Sequence, residues 1–589
     1  MNAAQHHRGP DDDGVFTEGP AALGHVRLSI LDLSPAGHQP MFLRDRYAFV
    51  FNGEIYNYIE LREELTQNGY SFHTGTDTEV ALAALDFWGK EALTRFNGFW
   101  AFALYDRKEE KILLSRDRYG VKPLYYTRQS GYLIFASELK ALLSDESIQR
   151  KTCDQAVLDY LVNGFVDCEE ETFVQDVFHV PAGHWIEFFR DGRVQKQQYD
   201  SILYKESVDG KVTPEMEQEF RKLFEDSVSL RLRADVPVGS CLSGGLDSSA
   251  IVCASSRILR KKTQKNEQKV FSACYPGRPE DESRYIDEVV KDTGVEQYAV
   301  MPTWEDLARD LDHLIYTQDE PFLSTSMYAS YCVMRLAKEN HTKVLLDGQG
   351  ADELLCGYRK ARVYYIRKLV KEHHFARAAW ETLLYLPYMG KRNISLRADI
   401  SALRQFLGKK SGEDIRRKYL SEALQERELR NSYQNNERFL INDFEKISLP
   451  ALLRYVDRNS MAFSIEDRLP FLDYRFVNFC MTLPLGAKIR NGWSKYIMRK
   501  SLDLPEPIRK RKDKIGFYTP ENEWIRQNSL EFRRLFEDES KFRAGHYINR
   551  RKVLEDWDRL TAGKDSIGIF RYICLEKWMR IFQMESGTT

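Results

Sequence analysis

The sequence predicts an α+β layered sandwich followed by an α/β doubly wound parallel sheet with a largely helical C-terminal part. Three patterns carry this. Up to about residue 195, short apolar runs are separated by polar turns; beyond 200, strand-like and helix-like stretches alternate; from 357 onward the spacing is mostly helical. In order, Tyr47–Phe51 reads as a strand stopped by Asn52-Gly53, and Phe99–Tyr105 as a second. Ile112–Ser115 follows across the turn Arg107–Glu110, and Leu124–Tyr126 and Tyr132–Phe135 continue the meander. Helical spacing interrupts it at 58–68 and 77–88. After the joint, 214–233 reads as a helix with Phe220, Leu223, Phe224, Val228 and Leu232 on one face. Then come strand Val236–Leu242, a Gly-rich loop, helix Ala250–Leu259, strand Val270–Cys274, a helix at 283–293, and strand Lys343–Leu346 before a second Gly-containing loop. The stretch 195–215 is polar, so the expected domains are 1–195 and 196–589.

Composition narrows the function. The chain has 589 residues, 43% hydrophobic and 30% charged, enough apolar material for large cores. Lys+Arg total 86 against 88 Asp+Glu, a net charge of −2 that gives no footprint for nucleic acid or an anionic membrane. Basic and aromatic residues mix over 357–440 (Tyr358, Tyr364, Tyr365, Trp380, Tyr385), but at helical spacing that favours core packing over RNA stacking. No apolar run is long enough to span a bilayer, and Met1–Arg8 lacks a signal-peptide core. The nine cysteines are an odd set with no Cys-x-x-Cys, which reads as a reducing cytoplasm without disulfides or a zinc site.

Ser243-Gly244-Gly245-Leu246-Asp247-Ser248-Ser249 lies between a strand and a helix. Glycines there let backbone N–H groups approach an anion, and the helix directs its unpaired N–H groups at the same point. The hydroxyls of Ser243, Ser248 and Ser249 can donate to phosphate oxygens, while Asp247 would repel phosphate unless Mg²⁺ stands between them. The bland alternative is an N-capped strand–turn–helix loop. Asp347-Gly348-Gln349-Gly350-Ala351-Asp352-Glu353 repeats the context, and its alternative is a favourable acidic first turn. In a doubly wound sheet such loops converge at the carboxyl ends of the strands, where Asp247 and Asp352 could share metal over one polyphosphate.

The first loop resembles the pyrophosphate loop of the ATP pyrophosphatases. Together with Asp347–Glu353, Ser460-Met461, Glu466–Asp473 and Gly492–Arg499, it resembles the synthetase domain of glutamine-hydrolysing asparagine synthetases. The resemblance implies ATP held by Cys241, Leu242, Ser243, Gly244, Gly245, Asp247, Ser248, Ala273, Asp347 and Gly348, with adenine against the strands of Cys241 and Ala273. It implies Lys495 stabilising charge on the reacting phosphate, where a solvated helix lysine is the alternative. Ser324, Thr325 and Arg468 resemble parts of the amino-acid site, and Arg468 is expected to pair with a carboxylate, the substrate's or that of Asp473. Lys514-Ile515-Gly516-Phe517 resembles a segment near the nucleotide cleft; the adjoining Arg509–Lys512 cluster otherwise reads as a solvated face. One position departs: some family members carry Glu where this chain has Gln349, which leaves the proton acceptor toward ammonia open.

The first half resembles the class II glutamine amidotransferase domain, an Ntn-hydrolase-like sandwich, through His7–Asp11, Arg27–Ile30, Asn52–Asn57 and Thr74–Asp77. The resemblance implies Arg27 on the glutamine carboxylate, Glu54 and Asp77 on its ammonium, and Asn52 with Gly53 as an oxyanion hole. The alternatives are a type I′ turn at Asn52-Gly53 and a helix N-cap at Asp77. Family members begin Met-Cys, whereas this chain begins Met1-Asn2 and its first cysteine is Cys153. Either the sequence starts at an internal methionine or glutamine hydrolysis has been lost, and as written no N-terminal thiolate is expected.

The expected function is an ATP- and Mg²⁺-dependent ligase converting aspartate to asparagine through a β-aspartyl adenylate, with nitrogen from glutamine or ammonia. The alternatives are the same chemistry on another carboxylate, as in β-lactam synthetases or sugar-acid amidation, and a non-catalytic scaffold. The partners expected are small molecules, with neither nucleic acid nor membrane, and a homodimer is left open.

Overall fold

The structure, a computed structural model, describes residues 1–589 except 130, 264–267, 386–415, 430–437, 513–518, 563–565 and 588–589. The segment Lys514–Phe517 therefore lies outside the described residues. The N-terminal half contains β1 (Asp12–Glu18), β2 (Ala21–Arg27), β3 (Met41–Leu43), β4 (Tyr47–Ile55), β5 (Gly98–Asp106), β6 (Lys111–Arg116), β7 (Tyr125–Gln129), β8 (Tyr132–Ala136), β9 (Val177–His179), β10 (His184–Phe189) and β11 (Val194–Gln198). An antiparallel six-stranded sheet has the order β11-β10-β6-β5-β4-β3, and a three-stranded sheet the order β8-β7-β9.

Strand alternation creates the layers. Phe49, Phe51, Phe102 and Leu104 pack against the helix Asp77–Trp88, while Ala48, Val50, Ala103 and Leu114 face the layer of Leu124 and Val180. The expected stop at Asn52-Gly53 is corrected: β4 runs through both to Ile55, paired along its length with β5. Gly53 adopts φ +151°, and a Cβ there would lie 2.1 Å from the Phe99 carbonyl oxygen, so close strand approach explains the glycine and no turn is present.

The second half builds a parallel sheet from β12 (Val238–Cys241), β13 (Lys269–Ala273), β14 (Glu296–Val300), β15 (Val344–Leu346) and β16 (Glu466–Arg468), in the order β14-β13-β12-β15-β16. Helices cover both faces. Phe220, Phe224 and Val228 of Pro214–Arg231 pack with Ile251 on one side, and Val333, Met334 and Ala337 of Met327–Glu339 pack on Phe271 and Leu345 on the other. Two strands, β14 and β16, were not anticipated; β16 is a three-residue strand inside the region read as helical. Trp380 is exposed, unlike the buried Tyr364, Tyr365 and Tyr385.

The halves share structure. Val157, Leu158 and Leu161 of the helix Asp154–Asn163 lie in one apolar cluster with Leu311, Leu314, Ile573 and Trp578. Elsewhere the seam is ionic. Asp473 accepts from Asn97 Nδ2 (2.8 Å) and Arg475 Nη2 (2.8 Å) and pairs with Arg231 (3.3 Å). The Arg231 guanidinium lies over the rings of Tyr56 and Phe99. Burial acts to raise the Asp473 pKa, but Arg475 and Arg231 outweigh it and hold the carboxyl down to about 2. A depressed pKa means stability that is present above the unfolded value near 4 and lost as pH falls toward 2. Asp473→Asn keeps an N-capping side chain for the helix Tyr474–Thr482 but removes the charge. The variant is expected to lose about 2 kcal/mol at pH 7 and to converge with wild type between about pH 4 and 2. Chemical denaturation across that range measures it; parallel curves for the two proteins would contradict the pairing.

Candidate functional site

At the carboxyl ends of the parallel strands, the two glycine-containing loops meet. The first leaves β12 and opens the helix Leu246–Thr263; the second leaves β15 and opens Ala351–Leu355. Gly244 has φ +67°, and a Cβ there would lie 2.8 Å from Tyr285 Cβ, so the turn admits only glycine. Ser248 Oγ accepts from Ser243 N–H (3.2 Å) and lies 3.1 Å from Ser243 Oγ, which closes the loop on itself. Lys495 joins the loops: its Nζ is 2.5 Å from an Asp247 oxygen and 2.6 Å from Asp352 Oδ1. Lys495 is 2% exposed, which excludes the solvated-helix alternative. Burial lowers its pKa, with Asp247 opposing. One ammonium between two carboxylates marks a point where positive charge is favoured, so the donor set of Asp247 and Asp352 fits a hard divalent cation.

Cys241 is buried at the end of β12, and Ala273 ends the neighbouring β13. Leu242 is buried behind the loop, its N–H bonded to the Phe271 carbonyl (2.9 Å). Gly348 packs on Asp247, where an added Cβ would lie 3.0 Å from the Asp247 Cβ. Asp347 donates its backbone N–H to the Arg468 carbonyl (3.0 Å), and burial pushes its carboxyl up to about 6. Gln349 hydrogen-bonds the Asp347 side chain. The structure thus brings together Cys241–Ser248, Ala273, Asp347, Gly348, Asp352 and Lys495.

Arg511 belongs to the basic run whose favoured reading is a solvated face and whose alternative is the wall of the nucleotide site; for this residue the structure corrects the favoured reading. It is buried, donates to the Gly244 carbonyl (2.8 Å), pairs with Glu282 and lies 4.0 Å from the Tyr285 ring centroid. Its place in a run of like charges hid it. Thr325 is buried, with its hydroxyl on Thr519 (2.7 Å) and its N–H on Glu521 (2.5 Å); Ser324 Oγ accepts from Ser326 N–H (3.1 Å).

The expectation for Arg468 is corrected. Its side chain is fully buried, 2.6 Å from Glu466 and 3.3 Å from Glu54, and it donates to the carbonyls of Arg231 (2.9 Å) and Arg233 (2.7 Å). It pairs neither with Asp473, which Arg231 and Arg475 occupy, nor with an open substrate site. The reason is strand alternation: residues 466 and 468 of β16 face the N-terminal half, and only 467 faces the nucleotide loops.

On that N-terminal side, Arg27, Asn52, Gly53, Glu54, Asp77 and Glu466 line one cavity of about 140 Å³. Arg27 donates to the carbonyls of Ser34 (2.8 Å) and Asp32 (2.5 Å), which holds the loop after β2 around the cavity. Asn52 Nδ2 lies 3.5 Å from Ser137 Oγ. Asp77 accepts from Ile55 N–H (2.7 Å) and is not the N-cap; Thr76 caps that helix by accepting from Glu79 N–H. Burial raises both Glu54 and Asp77, against Arg468. No cysteine is among the described residues lining this cavity.

Residues 219–580 match the family described as asparagine synthase, and residues 1–200 match a glutamine amidotransferase domain. "Asparagine synthetase [glutamine-hydrolyzing] 1" of Bacillus subtilis is 31% identical over 94% of this chain and 88% of its own length. "Putative asparagine synthetase [glutamine-hydrolyzing] 2" of Methanocaldococcus jannaschii is 38% identical over 63% of this chain and 75% of its own. "Asparagine synthetase B [glutamine-hydrolyzing]" of Escherichia coli is 29% identical over 69% and 72%. A nucleotide-type loop pair clamped by one lysine, joined through β16 to a cavity in an amidotransferase-like half, agrees with these matches: the chain belongs to the asparagine synthase family.

Proposed function

We propose that this protein makes asparagine from aspartate in an ATP-dependent ligation. The observation that carries the reading is Lys495, held between Asp247 and Asp352 where two glycine loops converge at the carboxyl end of a parallel sheet. An aspartate carboxylate oxygen attacks the α-phosphorus, pyrophosphate leaves, and a β-aspartyl adenylate remains. Ammonia then attacks the acyl carbon and AMP departs. Lys495 places a buried charge beside the phosphates, where a low dielectric strengthens it. The N-terminus of the helix Leu246–Thr263 adds N–H donors, with the hydroxyls of Ser243 and Ser248 beside them. Strand ends at Cys241, Leu242 and Ala273 receive the nucleotide base, and Asp347 with Gly348 the ribose side. Asp247 and Asp352 would hold Mg²⁺, which when bound neutralises charge on the polyphosphate. Ser324 and Thr325 stand as candidate contacts for the amino acid, whereas Arg468 serves the seam.

In the N-terminal cavity, Arg27 binds the glutamine carboxylate, and Asn52 with the Gly53 N–H forms the oxyanion site. The raised Glu54 and Asp77 carboxyls lack full compensation from Arg468, and an α-ammonium supplies the missing positive charge. The polar joint separates two domains, and because β11 (Val194–Gln198) pairs with β10 in the N-terminal sheet, the break expected after 195 moves beyond Gln198. None of the nine cysteines forms a disulfide, which suits a reducing cytoplasm, and among the described residues no helix is long and apolar enough to cross a membrane.

Asp247→Ala is expected to cut aspartate-dependent pyrophosphate release by about 10³-fold or more, the loss of several kcal/mol of charge stabilisation, with the fold intact by circular dichroism. Near-normal turnover in that variant, or stimulation of wild type by other carboxylates but not by aspartate, would overturn the reading. The purified chain is expected to form asparagine with ammonia as the nitrogen source, measured as aspartate-dependent AMP release; glutamate release from glutamine, followed in parallel, reports whether the N-terminal cavity hydrolyses it.

A further inference from the structure

Asp467 is the middle residue of β16 and pairs with Leu345 of β15. Its neighbours Glu466 and Arg468 face the N-terminal cavity and Glu54. Asp467 therefore projects to the other side, where its carboxylate, that of Asp347 and the Cys241 thiol lie within 4.8 Å of one another. It is 5% exposed, and among the described residues neither of its oxygens has a hydrogen-bond partner; Asp347 Oδ2 has none either. Leaving such groups bare is costly, and a structure that merely needed packing would hold an apolar residue here. The charged groups around Asp467 are Asp347 after β15, Glu466 on its own strand, Asp457 of the helix Leu449–Met461, and Lys122 as the cation. Burial pushes Asp467 well above the carboxylate range, and the proximity of Asp347 adds to it. Gln349 carries a neutral amide and hydrogen-bonds Asp347, so it supplies no proton acceptor.

We propose that Asp467, acting beside Asp347, is the catalytic group that takes the proton from ammonia as the amide bond forms. The step rests on the amide-forming reading above. The nitrogen lone pair forms the bond to the acyl carbon. The carbon–oxygen bond to AMP breaks, and its electron pair leaves on the phosphate oxygen. The nitrogen carries one proton too many for an amide, and that proton passes to the Asp467 carboxylate. A carboxyl with raised proton affinity, lying beside a second acid that can share the proton, suits taking a proton from nitrogen. The position also fits: β16 touches the glutamine-side cavity with one face and the nucleotide loops with the other.

The test uses the full chain and the near-isosteric Asp467→Asn. Ammonia-dependent asparagine formation is expected to fall about 100-fold or more. Hydroxylamine, whose adduct at the acyl carbon carries a more acidic nitrogen that sheds its proton to water more readily, should retain more of its rate, so the ammonia-to-hydroxylamine ratio falls. With the concentration of free ammonia held constant across the range, the pH dependence of the ammonia rate that wild type shows should flatten in the variant. Thermal stability should stay level or increase, because a bare buried carboxyl has been removed. In a second variant, Gln349→Glu is added to Asp467→Asn and should restore part of the ammonia rate. Aspartate-dependent exchange of pyrophosphate into ATP by wild type is measured in parallel; its absence would defeat the functional reading itself. With exchange present, an unchanged nucleophile ratio, or a change confined to the Mg²⁺ requirement as for a cation site, would overturn the role of Asp467.

Discussion

A fully buried guanidinium must find carboxylates, and Arg468 finds them on both sides of the seam, in Glu466 of its own strand and Glu54 of the other half. Breaking such a pair leaves an uncompensated charge in low dielectric, a penalty larger than the pair's own net contribution. The same logic repeats nearby. Arg8 reaches Asp457 (2.8 Å) and Glu138 (2.8 Å), and Arg458 bonds Asp457 (2.8 Å) and Asp319 (3.0 Å). These pairs are directional where an apolar interface is not, so they fix register between the halves. The helices Leu139–Leu142, Asp154–Asn163 and Ser566–Ile581 then bury apolar surface around a geometry that the charges have already selected.

Fixing the seam fixes the chemistry, because β16 belongs to both regions. It is an edge strand of the parallel sheet, hydrogen-bonded to β15, and its last carbonyl receives the Asp347 N–H at the start of the nucleotide loop. A shift of Arg468 relative to Glu54 would move Asp347 directly. Lys495 adds a second constraint. It sits at φ +53° and couples Asp247 and Asp352, from loops that the sequence separates by about a hundred residues. Gly357 makes room for it, since a Cβ there would lie 1.6 Å from Asp352 Oδ1. Strain and close approach are thus concentrated where the two loops meet, as expected of a preorganised charge site.

Much of this was legible in the sequence, because period and punctuation carry it. Helices 58–68 and 77–88 emerge at Tyr58–Gln67 and Asp77–Trp88, and the strand before each glycine loop emerges within two residues at its start. What stayed hidden has a common cause. Asn52-Gly53 looks like a turn because local propensity favours one, yet pairing with β5 along nine residues overrides it. Glu466-Asp467-Arg468 lies in a stretch whose spacing reads as helical, and three charges in a row carry no apolar alternation that would mark a strand. Only the tertiary partners Glu54, Asp347 and Cys241 show that this strand is interior. Arg511 was masked by neighbouring charges in the same way. Charged residues recruited into the interior leave no periodic signal.

Buried carboxyls with raised proton affinity stand at both sites, and this has a chemical sense. Glu54, Asp77 and Glu466 gather around Arg468, and burial pushes Glu54 and Asp77 upward in spite of it. Asp347 and Asp467 face each other with only Lys122 acting against burial on Asp467, and both are raised. A protein selected for stability alone would neutralise such groups or replace them with apolar ones. Here each raised carboxyl stands where the proposed reaction brings positive charge: an α-ammonium on the glutamine side, and a proton shed by nitrogen on the nucleotide side. Burial leaves these carboxyls only partly compensated, and the reactants complete the compensation.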